Sequence, residues 1–354
     1  MNEKLTSEAI SLLKRLIETP SISGQEEQVA QAVAYYLSGH SIKVHKKHNN
    51  IWAVNKFYDG AKPSLLLNSH LDTVKPVAGW TREPYKATLE QGKLFGLGSN
   101  DAGASLVSLL AVFLHFYERQ NLNHNIIFLA SAEEETTGKN GISSVLPELG
   151  EIDLAIVGEP TGMQMAVAEK GLMVLRCQAK GISSHAARDT GQNSITQAMD
   201  DINWFHSYSF QNESTVLGPV KMSVTMINAG TQHNVIPETC DFTVDIRTTD
   251  TQTNEHVLDV IQKNIQSEIV QCSLRLNSSS IGRDHPLVSV AMGLGIKTFG
   301  SPTLSDQAQI NAPSIKMGPG MSERSHTADE FVYLSEIEQG IKIYSTLFEP
   351  FLKD

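Results

Sequence analysis

The sequence predicts an α/β fold in which a mixed, mainly parallel β-sheet is flanked by helices, with a smaller α+β domain inserted into the chain. Up to residue 163, short apolar runs typical of buried strands alternate with helical stretches. Between residues 164 and 280 the runs alternate apolar and polar residues, as in strands with one solvated face. The first pattern returns afterwards, so we predict one domain over 1–163 and 281–354 and a second over 164–280.

The order of elements in the two domains supports this division. Apolar spacing over Leu12–Ile17, the capping-box spacing of Ser23–Glu26 and the apolar run Ala104–Phe116 predict three helices. Within 164–280 the order is strand, helix, two strands, helix, strand, which is the split βαβ arrangement.

Composition limits the classes of partner. The 354 residues carry a formal net charge of −11, which opposes binding to nucleic acid or to anionic membranes because both require a basic surface. Cys177, Cys240 and Cys272 form no C-x-x-C pair, so metal ligands would have to be histidines and carboxylates. The sequence lacks a leader pattern and an apolar stretch of membrane-spanning length, so we expect a cytoplasmic protein.

Metal-competent side chains recur where predicted strands and loops of the first domain end. They are His70, Asp72, Asp101, Glu133-Glu134-Glu135, Glu159 and, near the end of the chain, His326. Taken singly, each could be a turn, cap or surface residue. However, acidic groups next to apolar strands are costly to desolvate unless they are paired or coordinated, and parallel strands end at one edge of the sheet. The recurrence predicts a site for two divalent cations with one carboxylate left to act as a base.

Six motifs, in order along nearly the whole chain, resemble the zinc-dependent family of acetylornithine deacetylase, succinyl-diaminopimelate desuccinylase, aminoacylase and carboxypeptidase G. The motifs are Ser69-His70-Leu71-Asp72-Thr73-Val74, Gly96-Leu97-Gly98-Ser99-Asn100-Asp101, Ala132-Glu133-Glu134-Glu135-Thr136, Gly158-Glu159-Pro160-Thr161, Gly230-Thr231-Gln232-His233-Asn234-Val235-Ile236-Pro237, and Gly318-Pro319-Gly320 with His326. The resemblance implies a zinc-aminopeptidase-like catalytic domain and an inserted ferredoxin-like lid through which the chain forms a homodimer.

The resemblance also implies roles for individual residues. One Zn²⁺ would be bound by His70, Asp101 and Glu159, and a second by Glu135, Asp101 and His326, with Co²⁺ or Mn²⁺ as alternatives to zinc. Asp72 would orient His70, and Glu134 would be the general base.

The inserted domain would contribute His185 to the substrate carbonyl, and Asn234 and Arg247 to substrate binding. Each also has a plain structural reading, as a turn histidine, a hairpin turn and a strand-end ion pair. One departure is clear, because Asp101-Ala102-Gly103-Ala104 stands where most relatives have Asp-Met-Lys-Gly. The substrate preference of relatives that keep the lysine therefore does not transfer directly.

The function implied is hydrolysis of the amide bond of a small N-acyl amino acid, with an acetylated or succinylated ornithine or citrulline of arginine biosynthesis as the first expectation. A dipeptidase or aminoacylase of the same family is the alternative. A catalytically silent, metal-free binding protein is a third possibility of a different class, which retention of the ligands and the base disfavours. A nucleotide-binding module is also disfavoured, because Gly96, Gly98 and Gly103 do not have G-x-G-x-x-G spacing and no Walker lysine follows.

Overall fold

The computed structural model of the protein describes residues 3–188 and 190–353. The chain forms two compact units. The first runs to Val167 and continues over Ser280–Phe299 and from Ser305 onward, and the second comprises Ala168–Ser279 and Gly300–Leu304. The segment Gly300–Leu304 lies in the second unit, although the sequence-based boundaries assigned it to the first.

Helices occur in both units. They are α1 (Glu3–Ile17), α2 (Glu27–Gly39), α3 (Ala104–Phe116), α4 (Ile142–Leu149), α5 (Ser194–Ser207), α6 (Asn254–Gln262), α7 (Pro286–Gly293) and α8 (Leu334–Phe351). Short helical turns cover Ser99–Gly103, Asp306–Gln309 and Ser322–Arg324.

The strands are β1 (His45–Lys47), β2 (Asn50–Val54), β3 (Ser64–His70), β4 (Thr88–Glu90), β5 (Lys93–Phe95), β6 (Asn125–Ser131), β7 (Leu154–Val157), β8 (Met165–Glu169), β9 (Met173–Lys180), β10 (Ser184–His185), β11 (Lys221–Ala229), β12 (Val235–Ile236), β13 (Thr239–Arg247), β14 (Glu268–Cys272), β15 (Ser279–Ser280), β16 (Thr298–Ser301), β17 (Ser314–Lys316) and β18 (Phe331–Tyr333).

A nine-stranded sheet has the order β1-β2-β6-β3-β7-β17-β8-β15, with β16 paired to β8. Its four central strands, β6, β3, β7 and β17, run parallel to one another, whereas β2 and β8 lie antiparallel beside them. Every residue of β3, β6 and β7 is buried, as expected for strands covered on both faces. The parallel register brings the carboxyl ends of these strands to one edge, which is where a site is expected.

Helix α3 is buried along nearly its whole length, because apolar residues occur on every side of it. It packs against α1, α8 and β3. The window Ser99–Phe116 has the length and composition of a membrane span, but 83% of it is buried inside the protein, so it is the core helix of this unit.

Helix α2 begins differently from the sequence prediction. The predicted capping box over Ser23–Glu26 is wrong: Glu26 is the N-cap residue and makes no side-chain capping bond within the described chain. The Glu26 carboxylate instead accepts hydrogen bonds from the N–H groups of Gly24 and Glu133, and the Ser23 hydroxyl donates to Asp72 at 2.6 Å. Contacts with remote segments replace the local capping bonds, because Ser23 binds Asp72 and Glu26 binds the N–H of Glu133.

The second unit contains the predicted split βαβ pattern. Its four-stranded sheet has the order β11-β13-β9-β14 with antiparallel neighbours, and the chain order is β9, α5, β11, β13, α6, β14. Alternate residues of β9 are buried, and these pack with α5 and α6 into a core of their own. This is the ferredoxin-like arrangement.

Candidate metal centre

The first donor group lies at the carboxyl edge of the central strands. The His70 Nε2 atom is 3.3 Å from Asp101 Oδ1 and 3.7 Å from Glu159 Oε1. His70 is the last residue of β3 and Glu159 follows β7, so the parallel pairing of these two strands brings their ends together. Imidazole nitrogen and carboxylate oxygen are donors that Zn²⁺, Co²⁺ and Mn²⁺ all accept.

A second donor group shares Asp101 with the first. The His326 Nε2 atom is 3.0 Å from Glu135 Oε2 and 3.7 Å from Asp101 Oδ2. The two oxygens of Asp101 therefore face different groups, Oδ1 towards His70 and Oδ2 towards His326. Within each group the candidate ligand atoms all lie within 4.8 Å of one another. This donor set fits a pair of divalent cations with Asp101 between them.

His326 reaches this position through an unusual backbone conformation. Its φ is +58°, in the left-handed region that side-chain-bearing residues rarely adopt, and Glu133 on the facing turn has φ +54°. Such residues occur where the surrounding structure holds them, and they are common at functional sites. The His326 side chain is 52% exposed, so the second group is open on one side.

Asp101 is held by a compact turn before α3. The turn Ser99–Gly103 has non-helical dihedral angles at Asp101 and Ala102, and the peptide bond between these two residues is cis. A Cβ atom placed on Gly103 would lie 2.4 Å from the Gly98 carbonyl oxygen and 2.6 Å from Leu13. Position 103, to which the sequence resemblance assigns the lysine of Asp-Met-Lys-Gly, therefore has no space for a side chain unless the turn shifts.

Asp72 makes more contacts than the sequence suggests. His70 Nδ1 lies 2.8 Å from the Asp72 backbone carbonyl and 3.6 Å from its carboxylate. The carboxylate itself accepts hydrogen bonds from the N–H groups of Glu134 and Glu135, at 3.0 and 3.1 Å, and from the Ser23 hydroxyl. Asp72 thus fixes the His70 ring through its backbone and the turn that carries Glu134 and Glu135 through its side chain.

The three consecutive glutamates have different surroundings. The Glu133 carboxylate accepts from the backbone N–H and the side-chain amide of Asn140, which closes the loop after β6. Glu135 faces His326 in the second donor group. Glu134 belongs to neither donor group. Burial first, and then the nearby carboxylates of Glu159 and other residues, raise the pKa of Glu134 well above its usual value.

Burial and nearby charges also shift the pKa values of the other groups at this site. Burial is the main cause that raises the pKa of Glu159 well above normal and the pKa of Glu135 to a lesser extent. For His70, burial opposes protonation, but the carboxylates of Asp101 and Asp72 outweigh it and raise the pKa well above the usual value. Like charges this close are expected where cations are bound between them.

Sequence reasoning missed several buried polar residues around these groups. Asp306 accepts hydrogen bonds from Asn68 at 2.9 Å and from Ser131 at 2.6 Å, and burial raises the pKa of Asp306 to about 6. The available signal was the appearance of Asn68 and Ser131 inside otherwise apolar strands. Glu330, whose carboxylate is buried beside Asp101, gave no such signal because its contacts lie 229 to 232 residues away along the chain.

The remaining predicted residues lie in the second unit. His185 pairs with Val235 on β10 and β12, and Ala186 donates its N–H to the Asn234 carbonyl, so His185 and Asn234 lie on adjacent segments. Arg247, at the end of β13, makes a two-point ion pair with Asp245 at 2.8 and 3.0 Å. The strand-end ion pair considered from the sequence is therefore present.

Comparison with known proteins places the chain in a family. Residues 66–349 match Peptidase family M20/M25/M40. The acetylornithine deacetylase of Proteus mirabilis is 28% identical, with 99% of this chain and 98% of that protein covered. The succinyl-diaminopimelate desuccinylase of Rickettsia bellii is 25% identical over 94% of each chain.

Solved structures show the same fold at lower identity. The Bacillus subtilis YXEP protein, described as a dinuclear metal binding peptidase of the M20 family, superposes with a TM-score of 0.74 at 17% identity, and 99% of each chain is covered. Aminopeptidase PepT of Bacillus cereus gives a TM-score of 0.77 at 15% identity, with 97% and 98% covered.

The chain belongs to Peptidase family M20/M25/M40, which confirms the resemblance seen in the sequence motifs. It is an enzyme of this metallopeptidase family, and its fold class is the expected α/β sheet with an α+β insertion.

Proposed function

We propose that the protein hydrolyses the amide bond of a small N-acyl amino acid and releases a carboxylate and a free amine. The observation that carries this proposal is the pair of donor groups that share Asp101, with the Glu134 turn held beside them by Asp72. In the proposal, His70, Asp101 and Glu159 hold one zinc ion, and Asp101, Glu135 and His326 hold the other. Bound divalent cations supply Lewis acidity, which lowers the pKa of water and polarises a carbonyl oxygen.

Glu134 is the proposed general base. As a carboxylate that belongs to neither donor group, Glu134 can accept a proton from the attacking water and later donate it to the leaving nitrogen. The Asp72 carboxylate accepts the N–H of Glu134 and thereby fixes the backbone from which this side chain extends. Proton transfer requires such a fixed position, because a general base must lie within hydrogen-bonding distance of the proton it removes.

We propose that His185 donates a hydrogen bond to the substrate carbonyl oxygen. Its Nδ1 atom accepts a hydrogen bond from the Ala187 N–H at 3.1 Å, so the neutral ring carries its proton on Nε2. His185 is exposed, which leaves this N–H available to donate to a developing oxyanion. Asn234 and Arg247 are proposed to bind other parts of the substrate. For Arg247, this requires its guanidinium to exchange Asp245 for the substrate carboxylate.

Acetylated or succinylated ornithine or citrulline is the proposed substrate, because the relative from Proteus mirabilis is an acetylornithine deacetylase. The test is amine release from acetylornithine, acetylcitrulline, both succinyl analogues, succinyl-diaminopimelate and a set of dipeptides, with enzyme loaded with Zn²⁺, Co²⁺ or Mn²⁺. We expect one acylated ornithine or citrulline to give the highest kcat/KM. A preference for dipeptides would identify the protein as a peptidase instead of a deacylase. If the metal-loaded protein hydrolysed none of these compounds, the proposal would be contradicted.

We also propose that the chain forms a homodimer through the second unit. Strand β11 is an edge of its sheet, and Met226 and Ile227 on it are 67% and 56% exposed. An exposed apolar edge strand is a ready surface for pairing with another copy. Sedimentation should show a dimer for the wild-type protein and a monomer for Met226→Glu. Val270 is 46% exposed on β14, at the opposite edge of the sheet, so Val270→Glu should leave the dimer intact. A monomeric wild-type protein would contradict this arrangement.

A further inference from the structure

Glu330 is a buried carboxylate that neither the sequence motifs nor the donor groups include. It precedes β18 and is 2% exposed. One carboxylate oxygen accepts the N–H groups of Asn100 and Asp101 at 2.8 and 2.9 Å, and the other accepts the N–H of Gly98 at 3.0 Å. A single side chain thus binds three backbone groups of the turn that carries the shared ligand Asp101.

The turn needs an external acceptor at these positions. The backbone leaves helical geometry at Asp101, with φ −117° and ψ 100°, so the regular helical pattern is interrupted there. Without the Glu330 carboxylate, the three N–H groups that it accepts would lose their hydrogen-bond partner. Each buried N–H group that lacks a partner lowers the stability of the folded state. Glu330 therefore determines where the backbone of Asp101 lies.

Asp101 cannot move without disturbing both donor groups. Its Oδ1 and Oδ2 face His70 and His326 respectively, at 3.3 and 3.7 Å. A shift of its backbone would change both distances together, whereas a shift of His326 would change one group. The hydrogen bonds of Glu330 thus act on the one residue that the two groups have in common.

We propose that Glu330 is a positioning residue that holds Asp101 so that its two oxygens face the two cation sites. This inference rests on the proposed two-metal site. Residues that orient a metal ligand typically contribute a factor of roughly 10–100 to metal affinity. The corresponding prediction is that loss of Glu330 weakens both cation sites while the rest of the first unit stays folded.

The experiment compares Glu330→Leu and Glu330→Gln with a matched control in the second unit. Asp201 is also a buried carboxylate, 4% exposed, that accepts two backbone N–H groups, those of Gln266 and Ser267 at 3.0 and 2.8 Å. Asp201→Leu therefore makes the same kind of change in the unit that does not carry the donor groups. Each folded protein is titrated with Co²⁺ alone by calorimetry and by visible absorption, and amide hydrogen exchange is measured in the metal-free proteins.

Glu330→Leu should raise the Kd for Co²⁺ by roughly 10–100-fold, change the visible spectrum and speed exchange at Asn100 and Asp101. Glu330→Gln keeps one acceptor oxygen and should give a smaller change in the same direction. Asp201→Leu should keep the wild-type Kd and spectrum. Wild-type Kd and spectrum in folded Glu330→Leu would overturn the inference, and if that variant does not fold, wild-type behaviour of Glu330→Gln would do so.

Failure of the two-metal proposal would be recognised separately. If the wild-type protein binds fewer than two Co²⁺ per chain, the two-metal site is wrong whatever the variants do. Amide exchange in the metal-free proteins still decides the role of Glu330 in that case, because it reports on the Asp101 turn without metal. Unchanged exchange at Asn100 and Asp101 in the Glu330 variants would then overturn the positioning role.

Discussion

Gly103 provides the sharpest test of how the Asp101 turn is built. Its φ and ψ, −58° and −37°, are accessible to alanine. Alanine restricts the unfolded chain more than glycine does, and this effect alone would contribute about 0.4–1 kcal/mol of stability to Gly103→Ala. Against this, the new Cβ would lie 2.4 Å from the Gly98 carbonyl oxygen, a separation that real Cβ contacts keep above 3.0 Å. The two backbone segments must therefore separate by about 0.6 Å, the difference between these values.

This separation strains the turn that carries Asp101. Gly98 cannot retreat freely, because its N–H is bound by Glu330 and its carbonyl accepts the Gly103 N–H at 3.0 Å. Overpacking of this kind costs about 1–3 kcal/mol, which exceeds the gain of about 0.4–1 kcal/mol, so we expect a net loss of up to about 2.6 kcal/mol. The displaced Asp101 should also weaken Co²⁺ binding.

The assay is thermal unfolding together with Co²⁺ titration, with Gly293→Ala as the control. Gly293 also lies at a helix terminus, but a Cβ there would meet nothing within 4 Å. Gly293→Ala should be neutral or stabilising and should bind Co²⁺ as the wild type does. If Gly103→Ala matches Gly293→Ala in both measurements, the close approach does not constrain the turn and the reasoning is refuted.

Three further predictions concern the site and the helices behind it. Glu134→Gln should keep two Co²⁺ per chain and lose kcat by roughly 10²–10⁴-fold; full activity would remove Glu134 from the proton transfer. Removing metal with a chelator should lower the unfolding temperature reversibly, because cations bind the native state and offset the repulsion between Glu159 and Glu135. An unchanged unfolding temperature after a metal-containing protein has been treated with the chelator would contradict this. Burial, and then Arg119, which donates to the His115 ring nitrogen at 2.7 Å, lower the pKa of His115. Its contribution to stability is therefore present above the ordinary histidine pKa and is lost as the pH falls through the lowered pKa. His115→Gln should flatten this part of the pH dependence of urea unfolding, and an unchanged slope would exclude the assignment.

Much of the fold could be predicted because its signals are local. Apolar runs over residues 64–68 and 125–130 predict two strands, which the structure extends to His70 and Ser131. The strongly apolar run Ala104–Phe116 forms α3 with the same limits. The αβ pattern then implies parallel strands that end at one edge. That inference is enough to expect His70 and Glu159 near each other, although they are far apart in sequence.

The contacts around Ser23 and Asp72 could not be predicted in this way. The local spacing of Ser23 and Glu26 favours a capping box, yet both side chains bind groups elsewhere in the fold. A hydrogen bond with a partner about 50 or 100 residues away leaves no periodic signal. Local propensity is a weak prior that tertiary partners override.

The sequence by itself determined the fold class, the family and which residue types could bind metal, because these follow from local patterns and ordered motifs. Only the tertiary structure decided how the donors are divided, with one oxygen of Asp101 facing His70 and the other facing His326. It also decided that Glu330 holds the Asp101 turn and that Gly103 leaves no space for a lysine. The physical reason is that direction and distance between side chains depend on how remote segments pack, and no local pattern encodes that packing.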